Sequence, residues 1–314
     1  MTVWHFSLLL SILIWSLLFK IQVFGIFILI ACFYFFMAFL KQKECFTGLA
    51  QKIWMTAFDE SGDPTLYASI EIDLTNVDNF ISEYNQMHPE TKLTYSHFGL
   101  MSIARSLREC KLASKISFDA YSLDRHVDLG LIVDVEGANV TALVMNHCDS
   151  KSLPDIASFI NKKIKMAKTH KIKQINFQNK IMGFFPSYIS KMVMQIGLFM
   201  LSDVGIKLYP LTPKQSPRLN AAVSNVSAYK IHDAYSALTA ITKLEIIAVM
   251  GSPVVRPLVV DGKIQPRKTM IIDLTIDARY INVQQCAILA PRIKECWENS
   301  VHYQHLVKHR VNKI

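Results

Sequence analysis

Ten histidines and six cysteines are the side chains here best able to move protons or attack carbonyl carbon near neutral pH. Their surroundings decide what chemistry is open to them. His97, His126 and His147 fall in or beside stretches patterned as core elements, and His232 follows a short apolar segment containing Ser224. Each is first a structural or surface residue; it becomes a general base only with an acceptor proton within hydrogen-bond reach. His302, His305 and His309 would share one face of a helix. With no cysteine or carboxylate partner they do not make a metal site. The cysteines, at 32, 45, 110, 148, 286 and 296, show no CxxC pairing and no framework spacing, as reduced thiols would. No glycine-rich phosphate loop and no nucleophile elbow occurs. A last polar group, Asp277, Arg279 and Asn282 around Ala278, closes an apolar run near the C-terminus.

Strand and helix patterns alternate from about residue 66, which predicts a single mixed α/β domain over 66–300. A strand is expected at 67–74, followed by a helix to about Gln86 with Thr75 and Asp78 at its start. A second helix fits 95–110, with Phe98, Met101, Ile103, Ala104 and Leu107 on its apolar stripe. Strands at 127–135 and 140–147 form a pair, and Ser152 caps the next helix, where Pro154 is tolerated in the first turn. Further strands are expected at 221–226, 244–250, 254–260 and 268–276, with Asp261-Gly262 as a hairpin turn. The last helix, about 284–299, is expected to pack Ala287, Ile288, Ile293 and Trp297 inward, with Pro291 as a kink.

Residues 1–40 read as an anchor. Two uncharged runs, 3–19 and 23–40, span roughly 25 and 27 Å as helices, against a hydrocarbon core of about 30 Å. Either a transmembrane hairpin turning at Lys20 or a single span over about 21–40 after an interfacial helix fits. A cleaved signal fits poorly, because residues 1–5 lack Lys and Arg and no A-x-A-like site follows. Leu29-Ile30-Ala31-Cys32 resembles a lipoprotein cleavage box, but four aromatic residues follow it. Lys41 and Lys43 then put the rest of the chain in the cytoplasm. A linker over 41–65 precedes the domain, an apolar insertion at 185–211 is expected to lie in the membrane interface as amphipathic helices or to form a lid or buried hydrophobic wall, and 301–314 is a basic tail. The formal charge of +9, concentrated at 162–173 and in the tail, suits an anionic leaflet or a solvated helix face. No aromatic-interleaved nucleic-acid motif accompanies it.

Several segments, in order, resemble the catalytic domain of the dihydrolipoamide acyltransferases of 2-oxoacid dehydrogenase complexes, relatives of chloramphenicol acetyltransferase. Residues 63–75 resemble that family's first strand, and 127–134 its V-x-I-G-I-A-V-D strand. Asp149, Lys151, Ser152 and Leu153 match N-A-D-x-K-S-L, and 259–268 follow V-V-D-G-x-I-x-x-R-K. Residues 277–283, D-A-R-Y-I-N-V, stand where the family has D-H-R-x-x-D-G.

The resemblance implies a mixed sheet flanked by helices, a homotrimer, and acyl transfer from an acyl thioester such as acyl-CoA. In the family a histidine deprotonates a thiol and a Ser or Thr hydroxyl stabilises the oxyanion. Ser224, in A-V-S-N-V-S, inherits the hydroxyl role, while Ala278 stands in place of the histidine and Asn282 in place of the aspartate. Asp277 and Arg279 remain, and His232 is the candidate substitute. A positioned base contributes about 10²- to 10⁴-fold, so its loss leaves either a slow acyltransferase or an inactive scaffold or ligand sensor of the same fold. Neither a metal nor a lipoyl group is implied, since the chain shows no lipoylation site.

Overall fold

The computed structural model describes residues 64–117, 120–123, 126–135, 139–168, 219–238 and 244–299, with scattered helical positions between 19 and 36 and at 196. Nine strands and four α-helices lie among them. In chain order these are β1 (Thr65–Asp73), α1 (Thr75–Met87), α2 (Tyr95–Glu109), β2 (Ser114–Ser117), β3 (Ala120–Leu123), β4 (Leu129–Val135), β5 (Asn139–Met145), α3 (Leu153–Lys168), β6 (Ala221–Asn225), β7 (Ile246–Met250), β8 (Val254–Val260), β9 (Lys263–Asp277) and α4 (Val283–Glu298). Seven strands form one sheet in the order β1-β9-β7-β6-β4-β5, with β8 also paired to β9; β2 and β3 form a separate hairpin. Strands β4, β6 and β7 run parallel and β1, β5 and β9 pair antiparallel, so the sheet is mixed, as expected from the sequence.

Side chains alternate between the two faces of a strand, and here the faces differ. Ala221 and Val223 of β6, Ile246, Ala248 and Met250 of β7, and Ile272, Leu274 and Ile276 of β9 join the main core with the inward faces of α1 to α4. The opposite positions, Ala222, Ile247 and Val249, join a smaller cluster with Leu219 and Leu244, against which Ala234 and Leu238 pack. The second face is covered, among the described residues, by an extended strap at 231–238 rather than by a helix.

Local chemistry explains the element ends, with three differences from the sequence reading. Thr75 is the first residue of α1 and not its cap; Leu74 holds the cap position without a side-chain bond, and Asp73 Oδ1 accepts from the Thr75 backbone N–H at 2.9 Å and hydroxyl at 2.6 Å. Ser152 does cap α3, accepting from the Asp155 N–H at 3.3 Å and donating to its carboxylate. In α4, Leu289, Ile293, Cys296 and Trp297 face the core, while Ala287 and Ile288 are exposed; the inward stripe is set by Leu289 one position on. Strand β9 runs five residues earlier than expected because Asp261 and Gly262, at φ 51° and 75°, make the tight turn that returns β8 onto Lys263. Among the described residues no helix is long and apolar enough to cross a membrane. Most of 1–40, the 185–211 insertion except Ile196, and the 301–314 tail lie outside the described residues.

His97 is buried at the start of α2, where its Nδ1 accepts from the Thr94 backbone N–H at 3.2 Å. Desolvation pushes its pKa down from 6.5 to about 4. The unfolded chain therefore binds a proton below about 6.5 that the folded chain refuses until about 4. Stability should be full above that window and fall by up to about 3 kcal/mol as pH drops through it. Urea midpoints at neutral and mildly acid pH should show this loss for the natural protein and a flatter response for His97→Gln, whose amide can still reach the helix start.

Candidate active site

Ser224 is the fourth residue of β6, paired with Ile132 and Val249. Alternation puts it on the second face, level through Val249 with Asp273 of β9. The side chain is half-buried, and no hydrogen bond joins its hydroxyl to another described residue. It can therefore donate to a ligand oxygen without breaking a bond to any described residue. Its neighbour Asn225 points to the helical face, where Nδ2 donates to the Ser96 hydroxyl at 3.0 Å and fixes the strand end against α2.

Beyond β6 the chain turns through Ser227–Tyr229 and comes back across the ends of β7 and β9. The Ser252 N–H donates to the Ile231 carbonyl at 2.6 Å, and the Ser252 hydroxyl donates to the Ser227 carbonyl at 2.9 Å. The close approach needs Gly251, where a Cβ would lie 1.9 Å from the His232 carbonyl oxygen. Further on, the Ala234 N–H donates to Asp273 Oδ2 at 2.8 Å and Ser69 donates to Asp273 Oδ1 at 2.6 Å. Tyr235 closes the far end, its hydroxyl 2.5 Å from Ser69 Oγ and its ring edge-on to Tyr67. The buried carboxylate of Asp273 thus ties the strap to β1 and β9.

His232, on this strap, is exposed, with its Nδ1 3.4 Å from the Ser252 carbonyl. Its backbone lies over Gly251, two residues beyond the Val249 that pairs with Ser224. At about 3.3 Å per residue and 4.8 Å between strands, Ser224 and His232 lie on the order of 10 Å apart at the Cα atoms, at the same end of the second face.

The 277–283 loop lies elsewhere. Asp277 is four residues past Asp273 on β9 and two strands from β6, roughly 16 Å from Ser224 in the same chain. Its carboxylate is buried and holds Arg279 in a fork: Oδ1 accepts from the backbone N–H at 2.9 Å and from Nε at 3.0 Å, and Oδ2 from Nη2 at 2.7 Å. Asn282 caps α4, accepting from the Gln285 N–H at 2.9 Å while Gln285 reaches back to the Asn282 N–H. Ala278 is 1% exposed and donates its N–H to the Pro64 carbonyl at 2.8 Å. The Asp277 carboxylate and the Asn282 side-chain oxygen are thus engaged in shaping the loop. The structure places Ser224 and His232 at the same end of the second face, and Asp277, Arg279 and Asn282 away from both.

Other candidates are accounted for. Burial pushes the Cys148 thiol up to about 12, which denies it thiolate character. His126 and His147 lean on each other at 4.1 Å between ring centroids, at the opposite end of the parallel strands from Ser224. Among the described residues no group of three or more His, Cys, Asp or Glu side chains could hold a metal ion. Sequence reasoning did not pick out Gly251 or Asp273. An isolated glycine closing an apolar strand signals a close backbone approach, but nothing local says which segment approaches.

Residues 45–182 match the family model of the 2-oxoacid dehydrogenases acyltransferase (catalytic domain); the match ends before Ser224. Among solved structures, the chain is similar to a probable dihydrolipoamide acetyltransferase from Listeria monocytogenes. The identity is 16%, over 86% of this chain and 96% of that one, with a TM-score of 0.56. The cubic core of the pyruvate dehydrogenase multienzyme complex superposes at 0.57, with 16% identity over 81% and 87% of the two chains. A chloramphenicol acetyltransferase superposes at 0.50, with 11% identity over 80% and 96%. No curated protein matches the sequence. By fold, the described domain is therefore of the acyltransferase type, a mixed sheet with helices packed on one face.

Proposed function

We propose that this protein is a membrane-anchored acyltransferase, divergent within the dihydrolipoamide acyltransferase family, that moves an acyl group from acyl-CoA or another thioester to an acceptor held near a membrane. The observation that carries the reading is the half-buried Ser224 hydroxyl, without a hydrogen-bond partner among the described residues, on the second face of an acyltransferase-type sheet. A hydroxyl so placed can donate to the oxyanion of a tetrahedral intermediate, an interaction that strengthens as charge develops. The two uncharged N-terminal runs and the lysines after them favour an anchor with the domain in the cytoplasm. The separation of roughly 16 Å between Ser224 and the 277–283 loop of one chain favours a homotrimer, in which a neighbouring copy's loop approaches Ser224.

A second reading has its own support. Asp277, Arg279 and Asn282 are all spent on holding the loop and capping α4, and Ala278 carries no proton acceptor. An inactive scaffold or ligand sensor would need no more than this.

The two are separated by release of CoA from acetyl-CoA and longer acyl-CoAs, measured on the full chain beside Ala278→His. The enzyme reading expects measurable release by the natural protein and no gain from Ala278→His. Ala278 is enclosed, so an imidazole there overpacks the loop, at about 1–3 kcal/mol. No release by the natural protein, with activity created by Ala278→His, would establish the scaffold reading.

A further inference from the structure

We infer that His232 is the general base of this acyl transfer, relocated from the 277–283 loop to the strap over the second face; the inference rests on the Ser224 reading above. Three contacts fix the position of His232. Ile231 is bonded to Ser252, the His232 carbonyl is seated on Gly251, and Ala234 is bonded to the buried Asp273. The strap is thus anchored on both sides of the histidine, which limits where the ring can lie.

The tautomer follows from the partner. A carbonyl oxygen only accepts, so the ring nitrogen facing Ser252 O, Nδ1, must donate. That leaves the lone pair on Nε2, the outward nitrogen of an exposed ring, as the acceptor. Backbone hydrogen bonding at one ring nitrogen is how a base is oriented at the other. The other described histidines near the sheet lack this arrangement. His97 is buried on the helical face with its Nδ1 taken by Thr94, and His126 and His147 lie at the far end. A Cα separation on the order of 10 Å leaves room for a thioester carbonyl at Ser224 and an acceptor thiol at the outward Nε2 of His232.

The step balances without a further reactant. The acceptor S–H gives its proton to His232 Nε2, and its sulfur attacks the thioester carbonyl carbon. The carbonyl π electrons move onto oxygen, where the Ser224 hydroxyl donates to the oxyanion. Collapse re-forms the carbonyl and breaks the bond to the CoA sulfur. That thiolate leaves with the proton returned from Nε2.

The test uses the full chain with acetyl-CoA as donor and dihydrolipoamide as acceptor thiol, following CoA release across the acid and neutral range. His232→Gln should lower kcat about 10²-fold or more with KM for acetyl-CoA unchanged. Its rate should then rise with pH only as the acceptor thiolate does. His232→Ala should regain activity with added imidazole, a rescue that a merely structural role would not give. Ser224→Ala should lower kcat with KM for acetyl-CoA little changed. Unaltered kcat and pH profile in His232→Gln, or an inactive His232→Ala that imidazole does not restore, would overturn the base assignment while acyl transfer at Ser224 stands. No release by the natural protein, or undiminished release by Ser224→Ala, would overturn the acyl-transfer reading itself.

Discussion

Trp297→Ala is expected to destabilise the domain by about 3–5 kcal/mol, the range for removing a large aromatic side chain from a packed core. Trp297 is fully buried and sits where α4 crosses α2. Its ring lies 5.1 Å from Phe98 and 6.4 Å from Tyr95 between centroids, and Nε1 donates to the Ser102 hydroxyl at 2.9 Å. Ser102 keeps its own bond to the Gly99 carbonyl, so the cost comes chiefly from the cavity and not from an orphaned hydroxyl. Chemical denaturation should show a lower midpoint with little change in slope, and Trp297→Phe, which refills most of the volume, should recover much of the loss. A change below about 1 kcal/mol for the alanine variant would mean that α4 is not seated on α2 as described.

The second large effect is catalytic. Ser224→Ala is expected to lower kcat for thioester turnover by about 10²- to 10³-fold, the usual consequence of losing one oxyanion donor. Stability should stay within about 0.5 kcal/mol of the natural protein, because the hydroxyl makes no hydrogen bond within the described domain and a methyl group fits the same half-buried place. The combination matters. A fall in both rate and stability would assign Ser224 to the architecture of β6, whereas a fall in rate alone assigns it to the reacting centre.

Much of the architecture is legible in the sequence because it is written in short-range patterns. The alternation of β1, β4 and β5, the Asp261-Gly262 turn and the apolar stripe of α2 each depend on neighbours within a few residues, and each element stands within two residues of where its pattern put it. The exceptions have long-range causes. Ile288 satisfies an inward stripe on a helical projection as well as Leu289 does; the sheet it packs on chooses between them. That Asp73 bonds Thr75 at the start of α1 requires knowing that β1 ends one residue earlier than its apolar pattern. The β2–β3 hairpin carries no alternation strong enough to announce it.

The candidate site divides the same way. Ser224 stands in one local motif and the loop at 277–283 in another. Their separation along β9 is a property of strand order, which a linear pattern does not encode. His232 follows Ser224 closely in the chain, yet its position depends on Gly251 and Ser252, about twenty residues later, and on Asp273 beyond them. Only the folded sheet brings those three beneath the strap. This is why the sequence reading placed Asp277, Arg279 and Asn282 beside Ser224 and His232 in one candidate set, and why the structure draws them into two groups with different work.

The central claim, acyl transfer on the second face at Ser224, is tested most directly by following an isotope-labelled acetyl group from acetyl-CoA to dihydrolipoamide with the full chain. The account predicts labelled thioester product from the natural protein and about 10²- to 10³-fold slower labelling with Ser224→Ala. Labelling equal in the two proteins, or none above the uncatalysed exchange, would contradict it.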